Sequence, residues 1–275
     1  MSNDKIAWDK LWIGSLMTIS ECITGGHYIE QLKIIKQTSG NSYFHITKNI
    51  YRNHGLFGLM YRSYFPYGMA QSITKGLPVL FVQHETSNYF HKNSNLSDNK
   101  ISLLGGMLGG ASQGLVVAPT QRLKTLIMTN PSKQGGSSFI MDTIKKEGMS
   151  TIFRGTHAMM LRRSIDWSIR FYGLSYVKNS LEEYSGEKKM WHSLLGGYIG
   201  GALSAFTLPI DVVIAKSQEA GSKGNPIAVT KELIKSGGYK AFSRGFLARV
   251  MHAGYHTMFV GGLGTIFYDW YTQKK

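Results

Sequence analysis

The chain has 275 residues, a net charge of +15 and one cysteine, Cys22. A lone cysteine excludes an internal disulfide and gives no sign of an oxidising compartment. Glycine is abundant at 32 and charged residues are scarce at 17%, which fits helices packed in lipid, whereas a mean hydropathy of −0.14 is low for such a protein.

In chain order, the pattern predicts a first helical segment from Trp8 to Gln37, with Glu21 in its middle and Glu30 and Lys33 near its end. The start, MSNDKIAWDK, has neither a hydrophobic signal region nor the Arg/Ser-rich, acid-free look of a transit peptide, so targeting information is expected to be internal. Residues 43–53 read as a short amphipathic helix at a membrane surface. A second long segment follows over about 64–89, carrying Pro66, Gln71, Lys75 and Pro78. The third spans about 100–128, and a Gly/Ser loop (131–138) leads to a second amphipathic stretch, FIMDTIKKEG. The fourth, about 156–183, holds Arg162, Arg163, Asp166, Arg170 and Lys178. The fifth covers about 190–218, a third short helix lies near 227–236, and the sixth, about 246–271, carries Arg249, His252 and His256.

The third and fifth segments are near copies. LLGGMLGGASQGLVVAPTQRLKTLIM and LLGGYIGGALSAFTLPIDVVIAKSQ share paired glycines four residues apart and a proline, Pro119 or Pro209. Glycines at that spacing let a neighbouring helix approach closely, and the proline kinks the segment. YIEQLKIIKQ in the first segment matches the tail of these copies, so Tyr28, Pro119 and Pro209 mark a period of about 90 residues. Three units, about 8–95, 100–186 and 190–275, use nearly the whole chain, which reads as one domain of 1–275 with threefold pseudosymmetry.

The positive charge alternates with this period. Residues 31–63, 120–155 and 214–246 hold 17 Lys/Arg against four Asp/Glu, whereas 86–99 is neutral and 179–191 carries a net charge of −1. A basic nucleic-acid-binding protein has no need of such alternation; a polytopic membrane protein does. Six segments of some 25 residues are long enough to cross a bilayer with tilt, although none is an uninterrupted apolar run.

These features resemble the mitochondrial carrier family. Its signature is Pro-x-Asp/Glu-x-x-Lys/Arg ending each odd helix, a short matrix-side helix, then an aromatic-x-Gly motif. Tyr61-Arg62-Ser63, Phe153-Arg154-Gly155 and Ser243-Arg244-Gly245 stand at the last motif. The resemblance implies an all-α membrane protein: six transmembrane helices in a barrel with short matrix-side amphipathic helices. It implies a multi-pass inner-mitochondrial-membrane location, both termini on the intermembrane-space side, a monomer, contact with inner-membrane lipid such as cardiolipin, and neither nucleic-acid partner nor cofactor. Within the family, SECITGGHYIEQLK, SITKGLPVLFV, LRRSIDWSIRFYGLS and GGALSAFTLPIDVV are similar to fungal carriers of citrate and 2-oxoglutarate.

In the family, the acid and base of each kink motif pair between helices to close the matrix side. Glu30 and Lys33, Gln121 and Lys124, and Asp211 occupy those positions here, with Ile214 where a base belongs. The expected contacts are Lys124 with Asp211 and Lys33 with Gln121, with Glu30 unpartnered and the gate weakened. At the opposite gate little remains beyond Glu85 and Lys178. Counting from the aromatic-x-Gly positions, the family's substrate contacts fall at Gln71, Arg162 with Arg163, and His252. Lys75 lies one turn beyond Gln71 on the same face, and Arg170 and Arg249 reach toward the same cavity. Arginine binds carboxylate bidentately and lysine as a point charge, so this set suits a small polycarboxylate exchanged by alternating access. Asp166, four residues from both Arg162 and Arg170, is placed to orient them.

Other readings stay open. Glu21 pairs with Lys75 or Arg163, accepts a proton, or is hydrogen-bonded and neutral. His252 and His256 are four apart, but with no Cys or acid near them on the sixth segment they read as polar cavity residues rather than metal ligands. A basic cavity would also take nucleotides or a phosphate-bearing cofactor, with Trp167 and Tyr172 as platforms for a base. A basic membrane-associated or nucleic-acid-binding protein without transport is the third reading. Phosphate-binding loops, nucleophile elbows and Cys/His clusters are absent from the sequence, so no enzyme is indicated.

Overall fold

Six long helical segments carry the glycine and proline pattern. The computed structural model describes residues 8–61, 64–129, 136–153, 156–217 and 225–273. Arg62, Ser63, Arg154, Gly155, most of the expected Gly/Ser loop (131–135) and Gln218 lie outside the described residues. The first segment is broken where continuity was expected. Asp9–Glu21 and His27–Ser39 are joined by a π-helical turn, Cys22–Gly26, in which Gly25 takes φ 124°. Glycine reaches that left-handed conformation without the Cβ penalty, so it bends a segment that lacks the proline of its two relatives.

The second segment is a turn, Tyr64–Gly68, leading into Met69–Asn93, and the third runs unbroken over Asp98–Thr129. The fourth is Thr156–Ser185. The fifth is Met190–Leu203, a 3-10 turn at Ser204–Thr207 just before Pro209, then Leu208–Ser217. The sixth is Phe246–Thr257, a π-helical turn, then Gly264–Gln273. Three shorter helices, Tyr43–Tyr61, Gly136–Glu147 and Pro226–Gly237, link each odd segment to the next even one. The first is longer than expected and bends at Gly55, φ 68°. The last is started by Asn225, whose side chain accepts from the Ile227 amide at 3.0 Å, with Pro226 at its first position. Its Val229 and Leu233 bury against Leu208 and Val212 of the fifth segment.

Each long segment packs on the next, and the sixth returns to the first, so the six close a ring. The paired glycines explain how the ring tightens. A Cβ on Gly106 or Gly110 would collide with the fourth segment's backbone, and one on Gly105 or Gly109 would press on the second. Gly196 and Gly200 likewise face the fourth segment, Gly197 and Gly201 the sixth. The doubled motif is therefore two interleaved small-residue stripes, one for each neighbour, rather than one face. Among the described residues, two segments, Asp98–Met128 and Met190–Ser217, are long and apolar enough to cross a membrane by length and composition. The fourth is charged, and its charge points inward: Arg162, Arg163, Asp166 and Arg170 are all buried.

Candidate charge-lined binding site

The interior of the ring is polar because each segment turns its ionisable residues toward it. Among the described residues, eight Lys/Arg and four Asp/Glu are buried. Buried charge is costly unless paired or lining a wet cavity, so this excess of cations marks the site.

Two acids gather most of the arginines. Asp166 lies 3.0 Å from Arg170, 3.7 Å from Arg162 and in close contact with Arg249 of the sixth segment. Thr207 donates to the same carboxylate at 3.2 Å. Asp211 of the fifth segment takes Arg249 at 3.1 Å and forms a close pair with Arg162. Arg170 also donates to Thr257 at 2.9 Å. The orienting role anticipated for Asp166 within its own helix thus has its geometry, extended to a third arginine across the ring.

The kink residues pair differently from the expectation. Lys124 joins Glu30 at 2.6 Å, not Asp211, and Gln121 accepts a hydrogen bond from Gln71, not from Lys33. The reason is contact geometry. The end of the first segment touches both the third and the fifth, so an acid there meets the third segment's lysine, while Asp211 faces the arginines of the even segments. Glu30 is therefore partnered, and Lys33, close behind it, makes no ion pair among the described residues.

Among the described residues, Lys75 and Arg163 likewise lack a carboxylate partner. Arg163 donates to the Gln113 carbonyl oxygen at 2.8 Å, Trp167 donates to the same oxygen at 2.7 Å, and the Gln113 amide donates to the Lys75 backbone carbonyl at 2.6 Å. Sequence reasoning missed Gln113. Its only signal is a long polar side chain in the middle of an apolar, glycine-rich helix. Lys33, Arg162, Arg163, Gln121 and Asp211 line one cleft together with the apolar Met159 and Ile214. Next to this polar set, Val79, Leu80, Trp167, Phe171 and Val260 form one buried apolar cluster.

Glu21 forms no ion pair with Lys75 or Arg163; it meets His256 at 3.4 Å and His252 at 4.0 Å. Trp167 is fully buried, stacked on Phe171 at 5.1 Å with the Arg170 guanidinium over it at 5.1 Å. Tyr172 stacks on Tyr176. The Trp167 ring is thus covered and offers no platform for a nucleotide base, whereas Tyr172 is exposed rather than turned into the buried charge cluster. Among the described residues, no group of three metal-ligating side chains is assembled.

Comparison with known proteins agrees with this architecture. Residues 98–185 and 186–273 each match the family model described as mitochondrial carrier protein. A citrate/oxoglutarate carrier protein of Saccharomyces cerevisiae is 26% identical over 94% of this chain and 88% of its own. A mitochondrial tricarboxylate transport protein of Rattus norvegicus is 26% identical over 72% of this chain and 67% of its own. A second yeast protein, mitochondrial 2-oxodicarboxylate carrier 2, is 26% identical over 58% of this chain and 55% of its own.

Proposed function

The chain belongs to the mitochondrial carrier family, and from that premise we propose that it exchanges small polycarboxylates, citrate and 2-oxoglutarate first among them, by alternating access. It is a transporter rather than an enzyme, and a multi-pass protein of the inner mitochondrial membrane. In this reading all six segments cross the bilayer, in three units of about 8–95, 100–186 and 190–275. The short helices lie on the matrix side, where the loop charge is concentrated.

The observation that carries the reading is the set of buried cations without acidic partners: Lys33, Lys75 and Arg163. A cargo with two or three carboxylates supplies the missing charge. Arg162, Arg170 and Arg249 stand beside them, already held by Asp166 and Asp211. A carboxylate entering the cleft can compete for these arginines and so loosen the fifth and sixth segments from the fourth. Gln71, held by Gln121, and His252 complete the proposed binding set. Glu30 with Lys124, and Asp211, Gln121 and Lys33, form the proposed matrix gate, which opens by separating these pairs in water.

Proteins named for citrate, oxoglutarate and tricarboxylate transport among the relatives support the same cargo. The buried stacking of Trp167 disfavours nucleotides. Competition against labelled citrate uptake in proteoliposomes tests the choice. Unlabelled tri- and 2-oxodicarboxylates are expected to compete and ATP and ADP to leave uptake unchanged; the reverse order would replace this reading with the nucleotide one.

A further inference from the structure

Gln113 is fully buried where the second, third and fourth segments meet. The glycine stripe brings it there. A Cβ on Gly106 would meet the Trp167 carbonyl oxygen and one on Gly110 the Arg163 carbonyl oxygen. The two backbones therefore touch, and a side chain about one turn further on can span the gap. Arg163 and Trp167 are four residues apart and share one helix face. Both carry only donors, and both donate to the Gln113 carbonyl oxygen, at 2.8 and 2.7 Å. The Gln113 amide nitrogen donates to the Lys75 backbone carbonyl at 2.6 Å, which fixes the end of the amide that faces the fourth segment.

The position calls for an acceptor. Glutamate would be the stronger one, because a carboxylate accepts from arginine with charge assistance. Glutamine instead leaves the charge of the guanidinium uncompensated. The acids that act on Arg163 from its own segment and from the fifth, Asp166 and Asp211, are held by Arg162, Arg170 and Arg249. Arg163 lines the cleft, and its buried Nε has no hydrogen-bond partner among the described residues. A buried donor left open in this way calls for a ligand that binds it. Lys33 in the same cleft, and Lys75, whose backbone Gln113 holds, are likewise buried without an ion pair among the described residues.

We propose that Gln113 determines cargo specificity: it is a neutral acceptor that orients Arg163 while leaving its charge to the cargo, and so tunes the site to a tricarboxylate over a dicarboxylate. This rests on the carboxylate-exchange reading above. Lys33, Lys75 and Arg163 offer one uncompensated charge to each carboxylate of a trianion. A carboxylate at position 113 would keep both hydrogen bonds from the fourth segment but cancel one of these charges, leaving a pair that matches a dianion. Neutrality at this position, rather than hydrogen-bonding capacity, sets the charge of the preferred cargo. Gln113 acts through Arg163 and is a positioning residue.

The test uses the full chain in liposomes loaded with 2-oxoglutarate, with half-saturating concentrations measured for labelled external citrate and labelled external 2-oxoglutarate. Gln113→Glu is expected to raise the value for citrate about tenfold or more and that for 2-oxoglutarate by less than about threefold, which moves the preference toward the dicarboxylate. Gln113→Met removes the acceptor without changing charge. It is expected to raise both values by a similar factor and leave their ratio as in the wild type. A glutamine with a merely structural role predicts one ratio in all three proteins, so an unchanged ratio in Gln113→Glu overturns the proposal. Should that variant fail to fold, Gln113→Met decides alone: a shifted ratio, or both values unchanged, overturns the proposal. Absence of any carboxylate exchange by the wild type instead overturns the reading of the cargo.

Discussion

Lys124 of the third segment donates to Glu30 of the first at 2.6 Å, and both side chains are buried. Removing one partner of a buried pair strands the other charge, at a cost of about 3–5 kcal/mol. Lys124→Gln and Glu30→Gln are each expected to lower the thermal unfolding temperature in detergent. The double variant Glu30→Gln/Lys124→Gln should lose less than the two singles added together. Additive losses would show that the pair is not coupled in the folded protein.

Asp166 is the single acid shared by three arginines from two segments. Asp166→Asn leaves Arg162, Arg170 and Arg249 to share Asp211 and neutral acceptors. A stability loss of about 3–5 kcal/mol is expected, with transport abolished. Thermal unfolding and uptake measured on the same preparation check this, and near wild-type values in both would contradict the hub assignment.

Gly110 lies against the Arg163 backbone carbonyl, leaving no room for a side chain. Gly110→Val is expected to separate the third and fourth segments and destabilise by about 1–3 kcal/mol or more, as overpacking does. Thermal unfolding in detergent checks this, and a wild-type unfolding temperature would contradict so close a contact.

Arg163 reaches the cleft with no acid of its own, positioned by Gln113. Ligand that binds only the folded state raises the unfolding temperature. Citrate is expected to stabilise the wild type and to do so at least tenfold less effectively in Arg163→Gln, read as the citrate concentration needed for half the shift. Equal sensitivity in the two proteins would place the anion elsewhere.

Much of the fold is legible in the sequence because it is periodic. The doubled glycines, the prolines about 90 residues apart and the alternating loop charge each recur, and a closed ring of six segments answers them. The break at Gly25 is not periodic. It replaces a proline by a positive-φ glycine, and a lone Gly-Gly gives no warning of that. For the site, the inward face of the fourth segment is readable from mid-helix charge alone. The pairing is not, because Lys124 has two acids of equal sequence merit, Glu30 and Asp211. Which one it meets depends on which kinks touch. Gln113 and Thr207 are hidden for the same reason: they matter only through neighbours on other segments.

The central claim is that the buried, unpartnered cations carry a small polycarboxylate across the membrane. It is tested most directly by uptake of labelled citrate into liposomes loaded with 2-oxoglutarate, with wild type and Arg163→Ala side by side. The account predicts saturable uptake by the wild type that requires internal 2-oxoglutarate, and near-background uptake by Arg163→Ala from protein that unfolds cooperatively in detergent. Equal uptake by the two proteins, or wild-type exchange of ATP for ADP with none of citrate, would contradict it.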